Sequence, residues 1–145
     1  MFTVAVAVAL WTTADAADRQ LTDAVAQGDK NQVKRLLRNG VGPNDASQIP
    51  DEGYTPLHIA VGEDRVDIAD LLVRAGAKLE AKDLDGRTAL HRATWIGSVE
   101  STKWLLGQGA DVLAMDKQGK TPIDLALEHN YAPVVKVIEE FLESS

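Results

Sequence analysis

The sequence predicts an all-α solenoid of stacked helix-turn-helix units with short β-turn or hairpin connections, and three observations predict it. The stretch DEGYTPLHIA at 51–60 returns as DLDGRTALHRA at 83–93 and as DKQGKTPIDLA at 116–126, with Gly53, Gly86 and Gly119 in step and Thr55, Thr88 and Thr121 in step. A fixed period between about 20 and 50 residues marks a stacked-repeat architecture. Residue types that tolerate a left-handed backbone, Gly28, Asp64, Gly97 and Asn130, stand seven positions after Leu21, Leu57, Leu90 and Ile123; such residues end short helices. Behind each of them follows a second apolar stripe at helical spacing.

Taken in chain order, the N-terminus is read first. MFTVAVAVALWTTADAADRQ opens on an apolar run and reaches Ala14-Asp15-Ala16, a small-x-small tripeptide of the kind that precedes signal-peptide cleavage. The run is too short to span a bilayer, which takes about 20 residues. Residues 1–16 are therefore expected to be a signal peptide, although no Lys or Arg precedes the run, and 17–145 to be the repeat domain. On that reading the mature chain is periplasmic or secreted; the alternative is a cytoplasmic module with an atypical N-terminus.

Four units follow, at about 20–50, 51–83, 84–116 and 117–145. Thr55, Thr88 and Thr121 are placed to cap the first helix of a unit with a hydroxyl, and Pro56 and Pro122 fall at the first helical position, where a missing N–H costs nothing. Ala60, Ala93 and Ala126 recur on that helix where close packing requires a small residue. The second helices are marked by Val33, Leu36 and Leu37; by Ile68, Leu71 and Leu72; by Val99, Trp104, Leu105 and Leu106; and by Val134, Val135, Val137 and Ile138. Trp104 is read as packing. Gly40, Gly76 and Gly109 stop the first three of these helices, whereas the last carries Leu142 there and runs on into EEFLESS. The linker 40–53 is three residues longer than 76–86 and 109–119: it is either a partner-contacting finger or, the favoured reading, a surface insertion that is thermodynamically tolerable.

Composition narrows the functions. A net charge of -7 over 145 residues, with 15 Lys and Arg against 22 Asp and Glu, argues against nucleic acid as partner. Without cysteine there is no disulfide framework and no thiolate zinc site. His58 and His91 fall one repeat apart, about 10 Å by helix-packing distances, too far to share a zinc ion. There is no nucleophile elbow, no glycine-rich phosphate loop, and pairs such as Asp83 with Asp85 read as turn formers. No catalytic, cofactor or metal residue is assigned, and the domain is not expected to be an enzyme, to insert in a membrane or to hold a cofactor.

The pattern D-x-x-G-x-T-P-L-H-x-A, a glycine turn and a helix ending L-L-x-x-G-A resembles the ankyrin repeat, and residues 83–110 (DLDGRTALHRATWIGSVESTKWLLGQGA) follow it almost throughout. The resemblance covers about 20–142; Pro50 stands for the leading Asp of one unit and Asp124 for the His of the last. It implies structural histidines bonded to the neighbouring turn and a broad concave binding face made of turn tips and first-helix ends. The tips are then Asp51, Glu52 and Tyr54; Leu84, Asp85 and Arg87; Lys117, Gln118 and Lys120. The helix ends are Ala26 and Gln27, Gly62 and Glu63, Trp95 and Ile96, Glu128 and His129. Adjacent Trp95 and Ile96 beside Tyr54 and Leu84 suggest an apolar patch of the kind that marks interaction sites. The expected partner is another protein, bound by a single copy of this chain through Tyr54, Leu84, Asp85, Arg87, Trp95, Ile96, Lys120 and Glu128. The expected role is a non-enzymatic adaptor or scaffold; the alternative is an accessory or inhibitory subunit regulating one envelope enzyme or toxin.

Overall fold

The computed structural model of the chain describes residues 20–44 and 52–145. The expected signal peptide at 1–16 and residues 45–51, which include Asp51 and make up half of the longer linker, lie outside the described residues. Eight helices appear among those described, with no strand. They are α1 (20–27), α2 (Lys30–Arg38), α3 (Pro56–Gly62), α4 (Val66–Arg74), α5 (Ala89–Ile96), α6 (Val99–Gly107), α7 (Pro122–Glu128) and α8 (Ala132–Glu143). Each odd-numbered helix pairs with the even one after it. First helices stack on first helices, α3 on α5 on α7, and second on second, α2 on α4 on α6 on α8.

Local chemistry explains the boundaries. Thr55, Thr88 and Thr121 are the N-caps of α3, α5 and α7, with Pro56 and Pro122 opening two of them. The turn between the two helices of a unit takes a left-handed residue each time: Gly28 at φ 74°, Asp64 at 53°, Gly97 at 74° and Asn130 at 57°. Asp64, whose short polar side chain tolerates this region, also accepts the hydroxyls of Ser98 and Ser101 from the next unit. Second helices close on Gly40, Gly76 and Gly109, all at positive φ. Around Gly76, its N–H donates to the Val73 carbonyl and the Ala77 N–H to the Leu72 carbonyl, the paired bonds of a Schellman cap. α8 has no such stop at Leu142 and runs to Glu143.

Connections between units are tight turns pinned by a carboxylate. Asp83 Oδ1 accepts the N–H groups of Asp85 and Arg87 at 2.9 Å each, and Asp116 Oδ1 those of Gln118 at 2.8 Å and Lys120 at 2.9 Å. Successive tips are joined by backbone, Leu84 N–H to the Glu52 carbonyl at 3.1 Å and Lys117 N–H to the Asp85 carbonyl at 2.9 Å. The core is one continuous ladder of Leu21, Leu57, Leu72, Leu90, Leu105 and Ile138 with Ala60, Ala93 and Ala126 between them, all buried. Trp104 packs half-buried against it.

Candidate protein-binding face

The histidines decide between chemistry and structure. Thr55 donates from its N–H to His58 Nδ1 at 3.2 Å, its hydroxyl lies 2.8 Å from the same nitrogen, and His58 Nε2 lies 2.9 Å from the Arg87 carbonyl. His91 repeats this with Thr88 and the Lys120 carbonyl, at 3.1, 3.0 and 2.9 Å. An Nδ1 that accepts an N–H fixes the neutral tautomer with its proton on Nε2. Burial depresses both pKa values and outweighs the carbonyl bonds that oppose it. With both ring nitrogens occupied and no charge, neither imidazole is free to act as base or ligand. In the last unit Asp124 takes over only the local half of this role, accepting the Thr121 N–H and hydroxyl at 2.9 Å each. Among the described residues no group of three or more His, Asp or Glu is arranged to hold a metal ion, and no helix is long and apolar enough to cross a membrane.

The face made by the tips and helix ends is organised around two stacked arginines. Arg87 lies over the Trp95 ring at 4.7 Å and its Nε is 3.5 Å from Asp116 Oδ2. The Asp116 side chain is buried; although burial works against its charge, the N–H groups of Lys120 and Gln118 hold its pKa below the ordinary carboxylate value. Asp116 therefore stays ionised beneath Arg87 and fixes it. Beyond Trp95, the His129 ring stands 4.4 Å away, and Tyr131 stacks on His129 at 5.8 Å and 12°. His129 is held by donating from Nδ1 to the Leu125 carbonyl at 2.9 Å.

Arg92 makes the second stack, 4.9 Å over the Tyr54 ring, with Nη1 donating to the phenol oxygen at 3.0 Å. Tyr54 in turn stacks over His58 at 5.8 Å. Desolvation raises the Tyr54 pKa despite the nearby guanidinium, so the phenol is neutral. Tyr54 with Arg92 bridges the second and third units, and Trp95 with His129 bridges the third and fourth.

The expected patch is thus altered in detail. Trp95 is 37% exposed and Leu84 52%, but Tyr54 and Ile96 are half-buried, so the four do not form an open apolar sheet: the arginines occupy part of that surface. Leu84 leans back over Gly53 of the previous tip. Asp85 lies 3.7 Å from Arg87, and Lys120 pairs with Glu128 at 2.6 Å, a rim ion pair. Arg92, Asp116 and Tyr131 belong to the same assembly and were not among the expected face residues, and His129, expected only as a helix end, joins them. Arg92 carried a signal, since it stands where the neighbouring units have Ile59 and Leu125.

A family model described as ankyrin repeats (3 copies) matches residues 21–116. Mouse inversin is 33% identical over 124 residues, covering 85% of this chain and 11% of inversin. The potassium channel GORK of Arabidopsis thaliana is 38% identical over 83 residues, 57% of this chain and 10% of the channel. Chicken inversin is 36% identical over 107 residues, 73% and 9% respectively. The chain spans about a tenth of the length of these relatives.

Proposed function

Because the chain belongs to the ankyrin-repeat family, we propose that it is a protein-interaction module whose partner docks across the face carrying Trp95 and Leu84. The observation that supports this most directly is Trp95 itself. An exposed indole held between a guanidinium and an imidazole is rigid before any partner arrives, so little side-chain entropy remains to be lost on binding. Trp, Tyr and Arg dominate the energetics of protein interfaces, and this face presents all three, with Arg87 and Arg92 pre-oriented by stacking. Catalysis is not part of the reading, since both buried imidazoles are committed to backbone.

Affinity capture with the full chain, followed by binding measurements with the purified partner, tests it. Trp95→Ala is expected to weaken the complex by about 2 kcal/mol or more, roughly thirtyfold, with Arg87→Ala weaker as well and Asn39→Ala on another surface unchanged. Equal affinity for the parent, Trp95→Ala and Arg87→Ala would move the docking site off this face.

A further inference from the structure

Two features by which one unit meets the next are replaced in the fourth. His58 and His91 reach the carbonyls of Arg87 and Lys120 in the following unit; the fourth unit has Asp124, which bonds only within its own cap. Asn44 accepts the Lys78 N–H at 2.7 Å and Glu80 the Asp111 N–H at 2.9 Å, again in the following unit; the third unit already lacks this device, with Leu113, 66% exposed, in the equivalent place. Leu37, Val73 and Leu106 pack against the core, and the residue in their place is an exposed Glu139. Another unit stacked in register would find no histidine bond from the fourth unit and would bury the Glu139 carboxylate.

The socket that receives a following unit is nevertheless apolar. In the first three units it is floored by Val25, Val61 and Thr94 and by Val33, Ala69 and Thr102, all buried. The fourth unit puts Leu127 and Val135 there; Leu127 is 55% exposed and Val135 half-buried. With Ala126, Asn130, Lys136 and Glu139 they line a groove of about 400 Å³. Terminal repeats ordinarily present a polar outer face; this one sets Leu127 and Val135 among Asn130, Lys136 and Glu139.

We propose that a second copy of this chain covers the groove, end to end about a twofold axis, in place of the single-copy state the sequence suggested. Leu127 and Val135 of each copy pack against those of the other, and Lys136 of one copy faces Glu139 of the other. A twofold interface must be self-complementary. The groove meets that requirement, since it carries one cation and one anion three residues apart on α8, and Lys136 has only a loose surface pair with Glu140 at 3.9 Å. Among the described residues, no large apolar side chain of α1 or α2 is exposed to meet the groove head to tail. The inference uses residues outside the partner-binding face and does not rest on that reading.

Sedimentation equilibrium of the full chain decides the matter. The mass is expected to rise with concentration from that of one chain toward twice that value. Leu127→Thr, which installs the residue type the third unit has here, and Glu139→Lys should each weaken association by about tenfold or more. The Lys136→Glu, Glu139→Lys double variant should regain it, because swapped charges still face one another. A one-chain mass at every concentration overturns the proposal, as does a Leu127→Thr variant that associates like the parent. Undiminished association of Glu139→Lys overturns the twofold arrangement.

Discussion

His58 and His91 each serve two units at once, taking a threonine N–H on one ring nitrogen and offering the other to a carbonyl of the next turn. That double bond pattern exists only for the neutral ring, and burial keeps it neutral. The folded-state pKa therefore lies below the ordinary value of about 6.5. Between the two values the unfolded chain binds more protons, so the stability present above about pH 6.5 is lost as pH falls through the folded values. Carboxylates titrate near pH 4, which leaves the histidine window clear. Thermal melts from about pH 8 to about pH 5 should show the midpoint falling on the acid side, and the fall should shrink in His58→Asn, His91→Asn even though that variant melts lower throughout. An equal fall in both proteins would assign it to another group. The core makes a simpler prediction: Leu72 and Leu105 are fully buried, and truncating either to Ala should lower the unfolding free energy by about 2–5 kcal/mol, read by urea titration.

Turns and caps were the most legible part of the fold, because their chemistry is local. Four left-handed positions, three threonine N-caps and the turn-forming Asp83 follow from residue type and spacing alone. What the chain hid are contacts made across unit boundaries by long side chains: Arg92 on Tyr54, His129 against Trp95, and Asp116 under Arg87. Their partners lie some thirty residues away, and which one a guanidinium meets depends on rotamers that periodicity does not encode. One pair of turn glycines separates local strain from such cross-unit packing. Gly97 and Gly119 have nearly the same φ, 74° and 77°, but a Cβ on Gly97 would stand 2.9 Å from the Tyr131 ring whereas one on Gly119 meets open space. Gly119→Ala should cost about 1–2 kcal/mol for the left-handed backbone, and Gly97→Ala that amount plus the displacement of the ring. Equal losses in denaturant titrations would mean that Tyr131 does not seal the junction between the third and fourth units.

A stack in which every unit touches only its neighbours has a stability that is nearly a sum of units and junctions, so its ends should open before its middle. Among the described residues, α3 to α6 have a unit on both sides, whereas α1, α2, α7 and α8 are covered on one side only. Native-state hydrogen exchange should accordingly find the slowest amides in α5 and α6, exchanging near the global unfolding free energy, with the outer helices opening at lower cost. The groove on the fourth unit breaks this symmetry between the ends. If a second copy covers Leu127 and Val135, mass action stabilises that end alone, and protection in α7 and α8 must grow with protein concentration while that in α1 and α2 stays constant. Glu139→Lys should remove the concentration dependence without altering exchange in α5, because Glu139 is exposed on the end of the stack. Slowing confined to α1 and α2 would place self-association at the opposite end, and exchange independent of concentration everywhere would leave the fourth unit as a frayed terminus whose apolar groove has no second copy to cover it.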